Sequence, residues 1–136
     1  MLRVWTVAPR MGAAPDESPF TFTLKAKLES GPAETDDILI CGWHPKGNAV
    51  LCGGKDFTIY LMNGATGDFL ACFSGHEEEV LCAKFTPNGG KLIISSSADQ
   101  SIRVWSPIKQ DCQTIIKAKN GFHKAAINTF ELVESR

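Results

Sequence analysis

Two stretches of this chain repeat one another at a spacing of 42 to 43 residues. Ile38-Leu39-Ile40-Cys41-Gly42-Trp43-His44-Pro45 lies over Val80-Leu81-Cys82-Ala83-Lys84-Phe85-Thr86-Pro87. Ala49-Val50-Leu51-Cys52-Gly53-Gly54 lies over Lys91-Leu92-Ile93-Ile94-Ser95-Ser96. After a one-residue slip, Asp56-Phe57-Thr58-Ile59-Tyr60-Leu61-Met62 lies over Asp99-Gln100-Ser101-Ile102-Arg103-Val104-Trp105. A fixed period of this size marks a repeat architecture. One such unit cannot cover its own apolar face, so neighbours must stack to make a core.

The units are made of strands. Short apolar runs rich in Val, Ile, Leu, Phe and Thr alternate with Gly, Pro and Asn turns, and no helical period rises above them. Strands are expected at about 2–7, 20–28, 38–43, 49–54, 57–62, 68–74, 79–85, 91–96, 101–105, 112–117 and 125–132. Pro45-Lys46-Gly47-Asn48 and Pro87-Asn88-Gly89-Gly90 place a fixed φ and then a permissive one, as hairpin turns require. Residues 8–19 hold three prolines and no apolar pattern, which predicts an exposed loop or a disordered insertion. The fold class expected is all-β, with four antiparallel strands per repeat. Residues 1–37 read as a preceding half blade, 38–78 and 79–118 as complete blades, and 119–136 as the start of the next. A β-propeller of such blades closes with at least four of them. With 136 residues the chain holds fewer, so a fragment or truncated gene product is expected, or closure by self-association with other chains. Met1 falls in mid-pattern, which favours the fragment.

Composition removes several functions. A net charge of −1 gives no electrostatic reason to bind nucleic acid. The five cysteines are scattered without a C-x-x-C pair, and four lie in apolar strand-like runs. Buried reduced thiols in a cytoplasmic protein are expected, rather than disulfides or a metal site. No apolar run is long enough to span a membrane, and residues 1–7 lack the apolar core of a secretory signal. No cofactor is expected: Gly53-Gly54-Lys55 lacks phosphate-loop spacing and lies between two strands.

Ser74-Gly75-His76, Ala98-Asp99 and Val104-Trp105 resemble the WD-repeat β-propeller family. The resemblance implies a structural tetrad of His76, Ser95, Asp99 and Trp105. Asp99 would accept from His76, His76 would bond Ser95, and Ser95 would meet the indole N–H of Trp105. The donor and acceptor inventory permits such a series. A Ser, a His and an Asp also suggest a hydrolase, but triads are recognised by geometry, and no G-x-S-x-G elbow is present. No enzyme is expected. The first repeat carries Cys52, Asp56 and Met62 at the matching places and lacks a Gly-His, so apolar packing alone is expected to hold it, more softly than the second. Gly121-Phe122-His123 would restore the His for a following blade. Within the family, Gly42 to Leu51, Asp99 to Pro107 and Gly121 to Asn128 are similar to the angio-associated migratory cell protein subgroup. Its fungal members are chaperones for a large-subunit ribosomal protein.

Charge placement points the same way. Glu34, Asp36 and Asp37 precede the first complete blade, and Glu77, Glu78 and Glu79 precede the second. They are six of 15 acids at two repeat-equivalent loops, which must face one rim. Such a rim attracts a basic protein partner, although the third equivalent loop is basic, with Lys117, Lys119 and Lys124. The expected function is a non-catalytic interaction scaffold, a chaperone for a basic ribosomal protein. The alternative is a generic adaptor in signalling or ubiquitin ligation.

Overall fold

The computed structural model describes residues 2–12, 14, 20–28, 38–117 and 125–133. Strands β1 (Leu2–Pro9) and β2 (Phe20–Leu28) pair as an antiparallel ribbon. The first four-stranded sheet runs β3 (Ile38–Trp43), β4 (Ala49–Gly54), β5 (Thr58–Asn63) and β6 (Phe69–Ser74), in that spatial order. The second runs β7 (Val80–Phe85), β8 (Ile93–Ser97), β9 (Ser101–Ser106) and β10 (Asp111–Lys117) in the same way. Every neighbour in these meanders is antiparallel. The two duplicated stretches thus form two like blades, as the all-β reading requires.

The blades pack face to face, and their shared core is why the fold holds. Leu51, Ile59, Leu61 and Phe73 of the first blade meet Val80, Ala83, Phe85, Ile93 and Trp105 of the second. On the opposite face of the first blade, Val50, Cys52, Tyr60 and Met62 pack with Val4 from β1. β4 is therefore buried at all six positions, and its sequence is continuously apolar rather than alternating. Turns lock the interface. Gly90 (φ +67°) faces His44 so closely that an added Cβ would lie 2.2 Å from Nε2, and the same ring meets Phe85 edge-on at 4.8 Å.

Four expectations change, the first that the thiols are buried: Cys41 and Cys72 are exposed, Cys82 and Cys112 are half-buried, and only Cys52 is buried. The ribbon extends into the proposed loop, because Ala8 and Pro9 pair with Thr21 and Phe20. Of the remainder of 8–19, residues 13 and 15–19 lie outside the described residues. The segment expected as a strand at 125–132 forms none. Among the described residues it has no laddered neighbour, and a strand exists only through one. It is nevertheless anchored on the second blade. Ile127 N donates to Ser97 O at 3.2 Å, Ile127 is buried, and Lys84 Nζ meets Glu131 Oε1 at 2.5 Å. Finally, the first blade is not held by apolar packing alone. Tyr60 Oη donates to Asp56 Oδ2 at 2.5 Å, and Thr58 N donates to Oδ1 at 3.4 Å. Burial, then the bond to Asp56, pushes the Tyr60 phenol up to about 12.

Candidate functional site

The second blade brings His76, Ser95, Asp99 and Trp105 into one hydrogen-bonded series. β8 carries Ser95, β9 carries Trp105, the β8–β9 turn carries Asp99, and the loop after β6 delivers His76. Trp105 Nε1 donates to Ser95 Oγ at 2.8 Å. Ser95 Oγ lies 2.8 Å from His76 Nε2, and His76 Nδ1 lies 2.9 Å from Asp99 Oδ2. One proton assignment satisfies every link: indole N–H to hydroxyl, hydroxyl to Nε2, Nδ1–H to carboxylate. The imidazole is then neutral.

Electrostatics agrees with that assignment. Burial lowers the His76 pKa from 6.5 and outweighs the hydrogen bond and charge of Asp99, which pull it up. Burial also opposes ionisation of Asp99. Hydrogen bonds from Ser101 Oγ, Glu77 N and His76 overcome it and hold the carboxyl well below its ordinary 3.8. Neither side chain meets solvent, at 0% and 2% exposure for His76 and Asp99. A histidine without access and without a free hydroxyl to activate has no route to a substrate, because Ser95 Oγ is committed on both sides.

Ser101 belongs to this cluster and escaped the sequence reading. Its Oγ donates to Asp99 Oδ1 at 2.6 Å and lies 3.3 Å from His76 Nδ1. The signal was present: Asp99-Gln100-Ser101 and Asp56-Phe57-Thr58 repeat an Asp-x-Ser/Thr pattern, in which the carboxylate caps the backbone two residues on. Both middle residues adopt positive φ, 64° for Gln100 and 65° for Phe57.

The cluster fixes the acidic loop beside it. Glu77 N donates to Asp99 Oδ2 at 3.0 Å, Ser97 Oγ donates to Glu78 O at 3.1 Å, and Ala98 N donates to Glu79 O at 3.0 Å. Each residue of the acidic run is thereby pinned through its main chain, while Glu77 and Glu78 keep exposed carboxylates and Glu79 is half-buried. Lys117 Nζ reaches Glu77 Oε2 at 3.3 Å, so one cation of the neighbouring basic loop already partners this rim. Glu34, Asp36, Asp37, Lys119, His123 and Lys124 lie outside the described residues. Among the described residues no group of His, Cys, Asp or Glu is arranged to hold a metal ion.

A family model, WD domain, G-beta repeat, matches residues 23–63 and 67–106. The first match runs from β2 to β5 and the second from β6 to β9, so each sequence repeat begins with the outermost strand of one sheet and continues into the next. The serine-threonine kinase receptor-associated protein of Rattus norvegicus is 28% identical over 105 residues, covering 68% of this chain and 30% of the relative. The protein of that name from Gallus gallus is 30% identical over 92 residues, covering 68% and 24%. Pre-mRNA-processing factor 19 of Mus musculus is 31% identical over 85 residues, covering 62% and 16%. The chain spans less than a third of the length of these curated relatives.

Proposed function

The chain belongs to the WD40 repeat family, and from that membership we propose that its blades receive a basic segment of a partner protein on the rim carrying Glu77, Glu78 and Glu79. WD40 proteins act through protein–protein contacts. The observation that carries the finer reading is the main-chain anchoring of this acidic run to Asp99, Ser97 and Ala98. Preorganised acids bind a cationic segment without first losing loop entropy. The similarity of Gly42–Leu51 and Asp99–Pro107 to the angio-associated migratory cell protein subgroup supports a ribosomal protein as that segment's owner, with the chain as its chaperone in the cytosol. Glu34, Asp36 and Asp37 are proposed to extend the rim.

A second reading draws on the relatives themselves. One is named for association with a serine-threonine kinase receptor and another for pre-mRNA processing, which favours a more general adaptor. Affinity capture from cytosol at low and high salt separates the two. Recovery of a basic ribosomal protein at low salt, lost with Glu77, Glu78 and Glu79 all changed to Lys, supports the first. Unchanged capture by that triple variant removes it. Salt-insensitive recovery of receptor-kinase or splicing components instead supports the adaptor.

A further inference from the structure

One row of the first blade, taken across its four strands, reads Cys41, Cys52, Tyr60, Cys72. Cys41 pairs with Cys52, Cys52 with Tyr60, and Tyr60 with Cys72. Residues directly opposite in an antiparallel ladder share a face and have Cα atoms about 4.5–5.5 Å apart. A disulfide bridges Cα atoms about 4.4–6.8 Å apart. Cys41 and Cys52 meet that requirement through the backbone register alone, and no other pair of the chain's cysteines does so by register. Cys72 faces Tyr60, Cys82 faces Ser96, and Cys112 faces Trp105. The two members also differ in a useful way: Cys41 is exposed, whereas Cys52 is wholly buried.

We propose that Cys41 and Cys52 form an oxidant-responsive pair that closes a reversible cross-strand disulfide between β3 and β4. With hydrogen peroxide as oxidant, the Cys41 thiolate attacks one oxygen and breaks the O–O bond. It keeps that oxygen as sulfenic acid, and the other leaves as hydroxide, which takes up the proton Cys41 gave up and becomes water. Cys52 then attacks the Cys41 sulfur, losing its proton as hydroxide departs. The products are one S–S bond and two waters from hydrogen peroxide. The order follows from access. Burial, then the neighbouring Cys41 and Asp56, push the Cys52 thiol up to about 11, so it is the poor first nucleophile and the resolving partner. Its position directly across the ladder supplies the proximity that its low thiolate fraction lacks.

The bond would tie together the strand that forms one wall of a groove between the blades. That groove, of 590 Å³, is lined by Leu39, Cys41 and Trp43 from β3 and by Leu81, Lys84 and Phe85 from β7. Oxidation would therefore stiffen one wall of the groove without altering the other.

The test treats the folded chain with hydrogen peroxide, blocks remaining thiols and maps the products by non-reducing peptide mass spectrometry. A Cys41–Cys52 peptide pair should dominate and should vanish on treatment with dithiothreitol. Cys52→Ser should instead accumulate Cys41 sulfenic acid trapped by dimedone, and Cys72→Ser should behave as the parent. Oxidised Cys41 alongside a free Cys52 thiol in the parent chain overturns the proposal. So does an unreacted pair under conditions that oxidise Cys72. A mixed set of pairings that already appears in the native chain, matching that of the urea-unfolded chain, overturns it as well.

Discussion

His76 decides how the second blade responds to mutation and to acid. Its ring joins Ser95 and Asp99, so truncating it leaves a buried hydroxyl and a buried carboxylate short of a partner. His76→Ala should destabilise the chain by about 1–3 kcal/mol, and Trp105→Phe, which removes the indole donor and also leaves a void where the larger ring is buried, by about 1–3 kcal/mol. Urea titration checks both. The pH dependence has a definite sign. Below 6.5 the unfolded chain protonates His76 while the folded one resists, so stability falls as pH falls. Asp99 adds loss in the same direction below 3.8, where the unfolded carboxylate takes a proton that the folded one refuses. The loss should set in as pH falls through about 6.5, with about 1.4 kcal/mol per unit as the ceiling for one proton, and His76→Asn should flatten it. A slope that persists in His76→Asn would place the titrating group elsewhere. The tetrad side chains were legible through the resemblance of Ser74-Gly75-His76, Ala98-Asp99 and Val104-Trp105 to the WD-repeat family. Ser101 was not, because a serine two residues after an aspartate is common, and only the folded turn aims its hydroxyl at Asp99.

Each blade turns from its second to its third strand through a residue in left-handed conformation, Phe57 in one and Gln100 in the other. Such a conformation costs a residue with a Cβ roughly 1–2 kcal/mol. Gln100 is exposed, and its backbone N bonds Ser97 O, so its side chain can be removed without loss of that contact. Gln100→Gly should stabilise the chain by roughly 0.5–1 kcal/mol, after the greater flexibility of glycine in the unfolded state is set against the relieved strain. Thermal unfolding measures it, and a lower Tm would refute it. The neighbouring first blade illustrates the limit of reading elements from sequence. Its Cys52 and Met62 cannot form the His-centred series, and from residues alone it looked dependent on apolar contact. In the structure Tyr60 takes up Asp56 from within the same sheet, and Val4 covers the face behind it. Both contacts depend on which face of the sheet a side chain occupies and on what is laid against it.

At the scale of the whole molecule, the stack of blades leaves one broad apolar surface. The pairs Trp5 with Leu24, Val7 with Phe22, and Pro9 with Phe20 set these residues on one face of the ribbon. The five large ones remain 39% to 59% exposed. A contiguous apolar face of this kind drives association. Light scattering should show growing mass as concentration rises, and Phe22→Lys with Val7→Lys should hold the chain monomeric. A parent chain that stays monomeric at high concentration would contradict this. The sequence by itself determined the architecture: a period of 42 to 43 residues with apolar runs and turn residues admits stacked four-stranded sheets and little else. The resemblance of Ser74-Gly75-His76, Ala98-Asp99 and Val104-Trp105 to the WD-repeat family also implied the His76–Trp105 series. Only the tertiary structure decided that the acidic loop is hydrogen-bonded through its main chain to Ser97, Ala98 and Asp99, that Tyr60 stands in for a missing histidine, and that the segment at 125–133 lies on the second blade without joining a ladder. The first and the last depend on contacts between residues far apart in the chain, which no local pattern encodes, whereas Tyr60 and Asp56 are four residues apart and meet because the fold sets them on the same face of the first blade.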